Sequence, residues 1–300
     1  QWIAVAGLAQ GTDGNYKLEA GWNEAGNAKW WTVTAPGRNI YSSKVDADGN
    51  PFCGKSSGTS MAAPHVSGAF GVLMSRYGEM DALQVREVLL TTASHDKGEG
   101  WDVADGEVSE RFGWGVPDLD KGMYGLGQML GEFNYNMSAG SLDVWSNNIS
   151  EVALNQRKAE DIAWLKMATG TDTDYMTAEV KAENGGDYIL GEDNGFKIED
   201  LEDYAKIDAA DAKKWRQAYY DKRAQAIREK LKNGLYDGSL VKSGEGTLVL
   251  TGENIYEGKT TVEGGTLLGF TESFGKNGGD VQVNGGKFGL LVSFNHDLNK

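Results

Sequence analysis

The chain has 300 residues, about two domains at roughly 150 residues each. Its 42 glycines are 14% of the sequence, about twice the usual share, while 4 prolines and 40% apolar residues exclude a collagen, a Pro-rich linker or wholesale disorder. Lys and Arg number 29 against 44 Asp and Glu, and a net charge of −15 repels phosphate backbones, which excludes a nucleic-acid partner. Cys53 alone cannot form an internal disulfide, and no Cys/His group has zinc spacing. No apolar run reaches the roughly 20 residues of a membrane-spanning helix. The chain starts without Met or leader and in mid-pattern at Ile3-Ala4-Val5-Ala6, a buried strand, so it reads as a piece of something longer.

Residues 1–131 mix short apolar strands with two helical patterns and are expected to be α/β. The first helix is expected after Pro64, carrying Val66, Ala69, Phe70, Val72, Leu73 and Met74 and ending near Gly78. The second starts at Asp81 as N-cap and carries Leu83, Val85, Val88, Leu89 and Leu90. Residues 132–237 form a more charged connecting region. Within it, 199–232 holds 8 acidic and 9 basic residues and predicts a solvated helix, with Trp215, Tyr219, Ile227 and Leu231 as its apolar stripe and Gly234 as C-cap. From 238 glycine turns alternate with short strands. Gly246-Thr247-Leu248 recurs as Gly265-Thr266-Leu267 and loosely as Gly286-Lys287-Phe288, spacings of 19 and 21. A period near 20, with strands at Thr247–Thr251, Thr260–Glu263 and Val281–Val283, predicts rungs of a β-solenoid. A last rung left at Lys300 would be uncovered, so continuation past that end is expected too.

The chemistry-bearing stretch is Gly58-Thr59-Ser60-Met61-Ala62-Ala63-Pro64-His65-Val66-Ser67-Gly68. Ser60 stands where a loop becomes a helix, its hydroxyl at the positive end of the dipole and its own N–H free for an oxyanion. Pro64 is expected in the first turn, where proline is tolerated. An isolated serine before an apolar run is usually only a cap. Here, however, Gly58, Thr59, Ser60, Met61, Ala63, Pro64, His65 and Gly68 together resemble the nucleophile segment of the subtilisin-like serine proteases, the subtilases. Chance agreement at those eight positions is roughly one in 10^10 per start point. Trp2–Gly7, Ala35-Pro36-Gly37, Gln84–Ala93 and Phe112-Gly113-Trp114-Gly115-Val116-Pro117-Asp118 are similar to flanking family segments, so the resemblance covers about residues 1–125.

The resemblance implies peptide-bond hydrolysis, with Ser60 attacking the carbonyl, a His taking its proton and an Asp orienting the His. It also implies the chain order Asp, His, oxyanion Asn, Ser. No His precedes Ser60 here; the three are His65, His95 and His296. The Asp, the His and the oxyanion Asn are thus missing from these 300 residues, and the chain alone is expected to be inactive. His65 lies about 140° round a helix from Ser60, so it is read as structural. His95-Asp96 has the wrong order for the family and reads as a turn, and His296 as exposed.

Asp46-Ala47-Asp48-Gly49-Asn50 hints at a calcium loop, but its Gly comes too early and no Glu closes it, so a hairpin turn is expected. No cofactor is expected in these residues. Calcium binding follows from the resemblance alone, with no ligand set to carry over. Cys53 is read as a loop residue.

Residues 238–252, continuing through Asn254, Tyr256, Gly258, Thr260 and Val262 to Leu267, resemble the passenger repeat of bacterial autotransporters. That repeat implies a right-handed parallel β-helix, and 144–150 are similar to the junction in subtilase autotransporters. The combination implies a serine endopeptidase at the cell surface of, or released from, a Gram-negative bacterium. It would act on proteins or peptides and meet the outer membrane only through a C-terminal barrel absent from this sequence. The alternative is a non-catalytic surface passenger, a pseudoprotease on an adhesive or structural β-helix. The presence or loss of the upstream His discriminates the two.

Overall fold

The computed structural model describes residues 2–11, 15–95, 102–168 and 209–292, with side chains of the last segment described from residue 219. It divides into two compact units, Gln1–Leu154 with Asp237–Lys300, and Asn155–Tyr236.

In the first unit, β1 (Ala4–Gln10) runs parallel to β3 (Thr32–Pro36), with Val5 opposite Val33 and Gly7 opposite Ala35. The short β2 (Tyr16–Leu18) is antiparallel to the far end of β1. Helix α1 (Thr59–Arg76) lies on β1 and β3 and buries Ala62, Val66, Ala69 and Leu73, whose spacing puts them on one face. Pro64 is its sixth residue rather than part of the first turn, so the ladder bond to the Ser60 carbonyl is not made. Helix α2 (Ala82–Thr91) begins as expected at Asp81. The Asp81 carboxylate accepts the Leu83 and Gln84 N–H groups, and the Gln84 side chain accepts the Asp81 N–H in return.

Between β3 and α1, β4 (Ile40–Val45) and β5 (Pro51–Ser56) form an antiparallel hairpin. Cys53 is therefore a strand residue, exposed and opposite Ser43, and not a loop residue. The Asp46–Asn50 segment is the hairpin turn: Asp46 Oδ1 accepts the N–H groups of Asp48 and Asn50 at 2.9 and 2.8 Å. After α3 (Leu119–Gly122), capped by Asp118, come β6 (Glu132–Asn136) and β7 (Leu142–Trp145).

The later strands are β8 (Ser239–Ser243), β9 (Thr247–Leu250), β10 (Thr260–Val262), β11 (Thr266–Gly269), β12 (Val281–Val283) and β13 (Lys287–Leu290). They alternate between two four-stranded parallel sheets, ordered β6-β8-β10-β12 and β7-β9-β11-β13. The first strands of the two sheets are thus β6 and β7, the pair called the first rung below. Composition groups 132–237 as one connecting region, but in the fold Phe133 stands opposite Leu240 and Val144 opposite Val249. The register step from Leu142 to Thr247 is 247 − 142 = 105 residues, so a search for a period near 20 passes over it. The excursion between rungs closes at Glu151, buried, whose carboxylate accepts the N–H groups of Gly238 (3.0 Å) and Glu257 (3.1 Å).

The second unit contains most of α4 (Val152–Ala168) and all of α5 (Ala209–Lys232). Tyr220, Ala224 and Ile227 are buried on α5, while Tyr219 is 49% exposed. The buried stripe is therefore displaced by one residue, about 100°, from the expected one at that turn. Gly234, at φ 64°, ends the helix, with the Leu235 N–H reaching back to the Lys230 carbonyl. Trp164 of α4 packs on Tyr220 and under the Arg223 guanidinium. Buried Asp161 accepts the Tyr236 hydroxyl at 2.7 Å and pairs with Arg157 and Arg223.

Candidate functional site

Ser60 is the second residue of α1 and is exposed. Its placement starts at the end of the parallel sheet. The Gly37 N–H donates to the Leu8 carbonyl (2.8 Å), and the Gly37 carbonyl accepts the Gly58 N–H (2.9 Å). The turn after β3 thereby ties the Ser60 loop to β1. A Cβ at position 37 would lie 2.8 Å from the Gly58 carbonyl oxygen, so only glycine lets the two segments approach this closely. Gly58 itself adopts φ 153°, a conformation L side chains rarely take.

The Met61 N–H donates to the Gly58 carbonyl at 3.0 Å. Among the described residues nothing accepts the Ser60 N–H or hydrogen-bonds its hydroxyl. An outward N–H and an Oγ at a helix N-terminus can together stabilise negative charge on an oxygen placed before them.

Trp22 escaped the sequence reading. Its half-buried ring lies against Gly7 and Gly37, 2.3 Å and 2.9 Å from where their Cβ atoms would be. Its loop is drawn in by the Glu19–Arg38 ion pair and by the Trp22 N–H bond to the Glu19 carbonyl. The surrounding residues have no periodicity that could have revealed this packing.

The histidines are not gathered at Ser60. His65 is exposed on α1, and its Nδ1 lies 2.9 Å from the Met61 carbonyl in a one-turn helical contact. His95 lines a polar cavity of about 580 Å³ with Trp114, Lys121, Gln128 and Asn147, and no residue of the Ser60 loop shares that lining. Asp96 and His296 lie outside the described residues. The expected closing turn at Phe112–Asp118 runs beside β3: the Trp114 N–H donates to the Thr32 carbonyl, and the Gly115 carbonyl accepts the Thr34 N–H.

Among the described residues no three His, Cys, Asp or Glu side chains are grouped around a common point. The Asp46 carboxyl is held below its ordinary value by Asn50, whose N–H and side-chain amide donate to it, with Asp48 and Gly49 adding to the effect.

Residues 1–115 match the model of the Subtilase family (peptidase S8). Over that stretch the chain is similar to part of a subtilase. Residues 240–268 match the passenger-associated transport repeat. The chain is 29% identical over 180 residues to serotype-specific antigen 1 of Mannheimia haemolytica, 59% of this chain and 18% of that protein. It is 34% identical over 121 residues to an extracellular serine protease of Serratia marcescens, 34% of this chain and 11% of the relative. To the neisserial autotransporter lipoprotein NalP of Neisseria meningitidis serogroup B it is 34% identical over 116 residues, 38% of this chain and 10% of that one. The chain therefore spans 10–18% of the length of these relatives. Among solved structures, fervidolysin from Fervidobacterium pennivorans, a keratinolytic enzyme related to subtilisin, is similar at 28% identity. The TM-score is 0.33, covering 41% of this chain and 19% of that one.

Proposed function

We propose that this chain is the nucleophile-bearing part of a serine endopeptidase carried by an autotransporter, with Ser60 as nucleophile. The observation that carries the reading is Ser60 itself, exposed at the start of α1 with its N–H unclaimed among the described residues, within a segment that matches the subtilase family. In the reaction the Ser60 oxygen bonds to the scissile carbonyl carbon and its proton passes to a base. The amide C–N bond then breaks as that base protonates the leaving nitrogen. The Ser60 N–H is one oxyanion donor. His65, already in contact with the Met61 carbonyl, is not the base. Base, orienting Asp and second oxyanion donor come from residues beyond these 300, and the chain by itself hydrolyses peptides negligibly.

The two parallel ladders with their period near 20 support a right-handed parallel β-helix beginning at β6 and β7. With the transport-repeat match and the autotransporter relative, they support a location at or beyond the bacterial cell surface, protein or peptide substrates, and membrane attachment through a barrel.

The test is fluorophosphonate labelling and peptide hydrolysis by the full-length protein from the native locus. We expect labelling at Ser60, none in the 300-residue chain, and loss of roughly 10^4–10^6 in turnover on Ser60→Ala. A full-length protein that takes no label and cleaves nothing is a pseudoprotease, and the reading is wrong.

A further inference from the structure

Helix α1 bears Ser60 in its first turn and Arg76 as its last residue. Its 18 residues make a rod of about 27 Å. The sheet holds the front end through Gly37 and Gly58. The back end is held by the first rung of the ladder.

Arg76 Nη2 donates to Asp143 Oδ1 of β7 at 2.5 Å, and Arg76 Nε to the Met123 carbonyl at 3.1 Å. Asp143 is 5% exposed and also accepts the Tyr135 hydroxyl (3.0 Å), the Trp145 indole N–H (3.0 Å) and the Val144 N–H (2.9 Å). The neighbouring Tyr77 hydroxyl donates to the Gly122 carbonyl and accepts the Gly125 N–H, both at 2.7 Å.

The register makes Asp143 an exception. Its row across the sheet continues as Leu248, Leu267 and Phe288, all apolar. A buried carboxylate in an apolar row costs stability unless it is paired and fully hydrogen-bonded. It occurs at the one rung where the guanidinium of the nucleophile helix reaches in. Leucine there would serve a ladder equally well, so the charge serves the helix.

We propose that Asp143 is a positioning residue of the peptidase site: the first rung, through the Asp143–Arg76 pair, sets the tilt of α1 and with it the position of Ser60. The inference rests on Ser60 being the nucleophile. Geometry at a reacting centre matters at the level of 1 Å, which is worth up to about a hundredfold in rate. Release of the rear anchor by that much tilts a 27 Å rod enough to move its front by a similar amount.

The experiment is steady-state kinetics with a peptide substrate on the full-length protein, compared with Asp143→Asn, Arg76→Lys and the rim variant Ser138→Ala. Ser138 links the same rung to Glu79, outside α1. All rates are read at least 15 °C below each variant's Tm, where loss of stability alone leaves kcat unchanged. Asp143→Asn is expected to lower kcat and the fluorophosphonate labelling rate roughly ten- to hundredfold with KM within about twofold. Arg76→Lys is expected to fall between, and Ser138→Ala to lower Tm without changing kcat. Parental kcat in folded Asp143→Asn overturns the proposal. Should that variant not fold, parental kcat in Arg76→Lys overturns it. A parent protein that neither labels nor cleaves sinks the endopeptidase reading and this inference with it, whereas an active parent with unaffected variants sinks only this one.

Discussion

Glu87 on α2 is largely withdrawn from solvent, and burial raises its carboxyl to about 7; the Asp81 carboxylate adds to this and Arg86 opposes it. The unfolded chain ionises this carboxyl near its ordinary value of 4.5, well before the folded protein does. Its contribution is therefore fully present below pH 4.5 and is lost as pH rises towards 7. Glu87→Gln removes that loss. Urea unfolding should find the variant more stable than the parent at pH 8, by roughly 1–3 kcal/mol, and no more stable at pH 4. At this same scale the position of Ser60 at a loop-to-helix junction was legible, because that junction is set by residues adjacent in sequence. Trp22 was not, because the ring's partners, Gly7 and Gly37, are far from it in sequence and glycine carries no side-chain signal of what lies upon it.

Among the elements, α2 was readable down to its cap, since Asp81 and Gln84 satisfy each other's backbone within one turn. The strands of the later rungs were readable from their glycine spacing. The first rung was not, because the chain makes an excursion of about a hundred residues before the second. Nor was α4, whose apolar residues hardly segregate to one side. What joins the rungs is also non-local. Asn254, 3% exposed, accepts the Ile149 N–H at 2.8 Å and donates to the Ser273 carbonyl at 2.6 Å, stitching three successive turns of chain. Asn254→Ala leaves both backbone groups buried and unpaired, and a loss of about 2–4 kcal/mol in urea unfolding is expected. An unchanged midpoint would mean that water or a shifted neighbour takes over both bonds.

At the scale of the molecule, the N-terminal segment and the ladder share one continuous core that runs from Val33 and Leu89 through Phe133 and Trp145 to Leu248 and Phe274. Helix α2 reaches the rung as well, with Gln84 Nε2 donating to the Asn134 carbonyl at 2.5 Å. Such a core should unfold as one body. Hydrogen exchange of the 300-residue chain in rising denaturant is expected to lose protection in β3 and β9 at the same midpoint. Asp161→Ala, confined to the second unit, should leave that midpoint in place. Two separate midpoints would mean that the segment and the ladder are independent domains.

The sequence by itself determined the helix of Ser60, the glycines that shape its loop, the capping of α2 and the repeat of the ladder. All of these depend on residues within a few turns of one another, where residue type and spacing carry the constraint directly. Only the tertiary structure decided that the ladder begins at Glu132 and that the charged region is an excursion between two rungs. Only it decided that a carboxylate in an apolar row pairs with Arg76 at the far end of the Ser60 helix. Those facts are pairings across 67 to 107 residues, and strand register and ion pairing at such separations are set by packing in space, which leaves no local period to read.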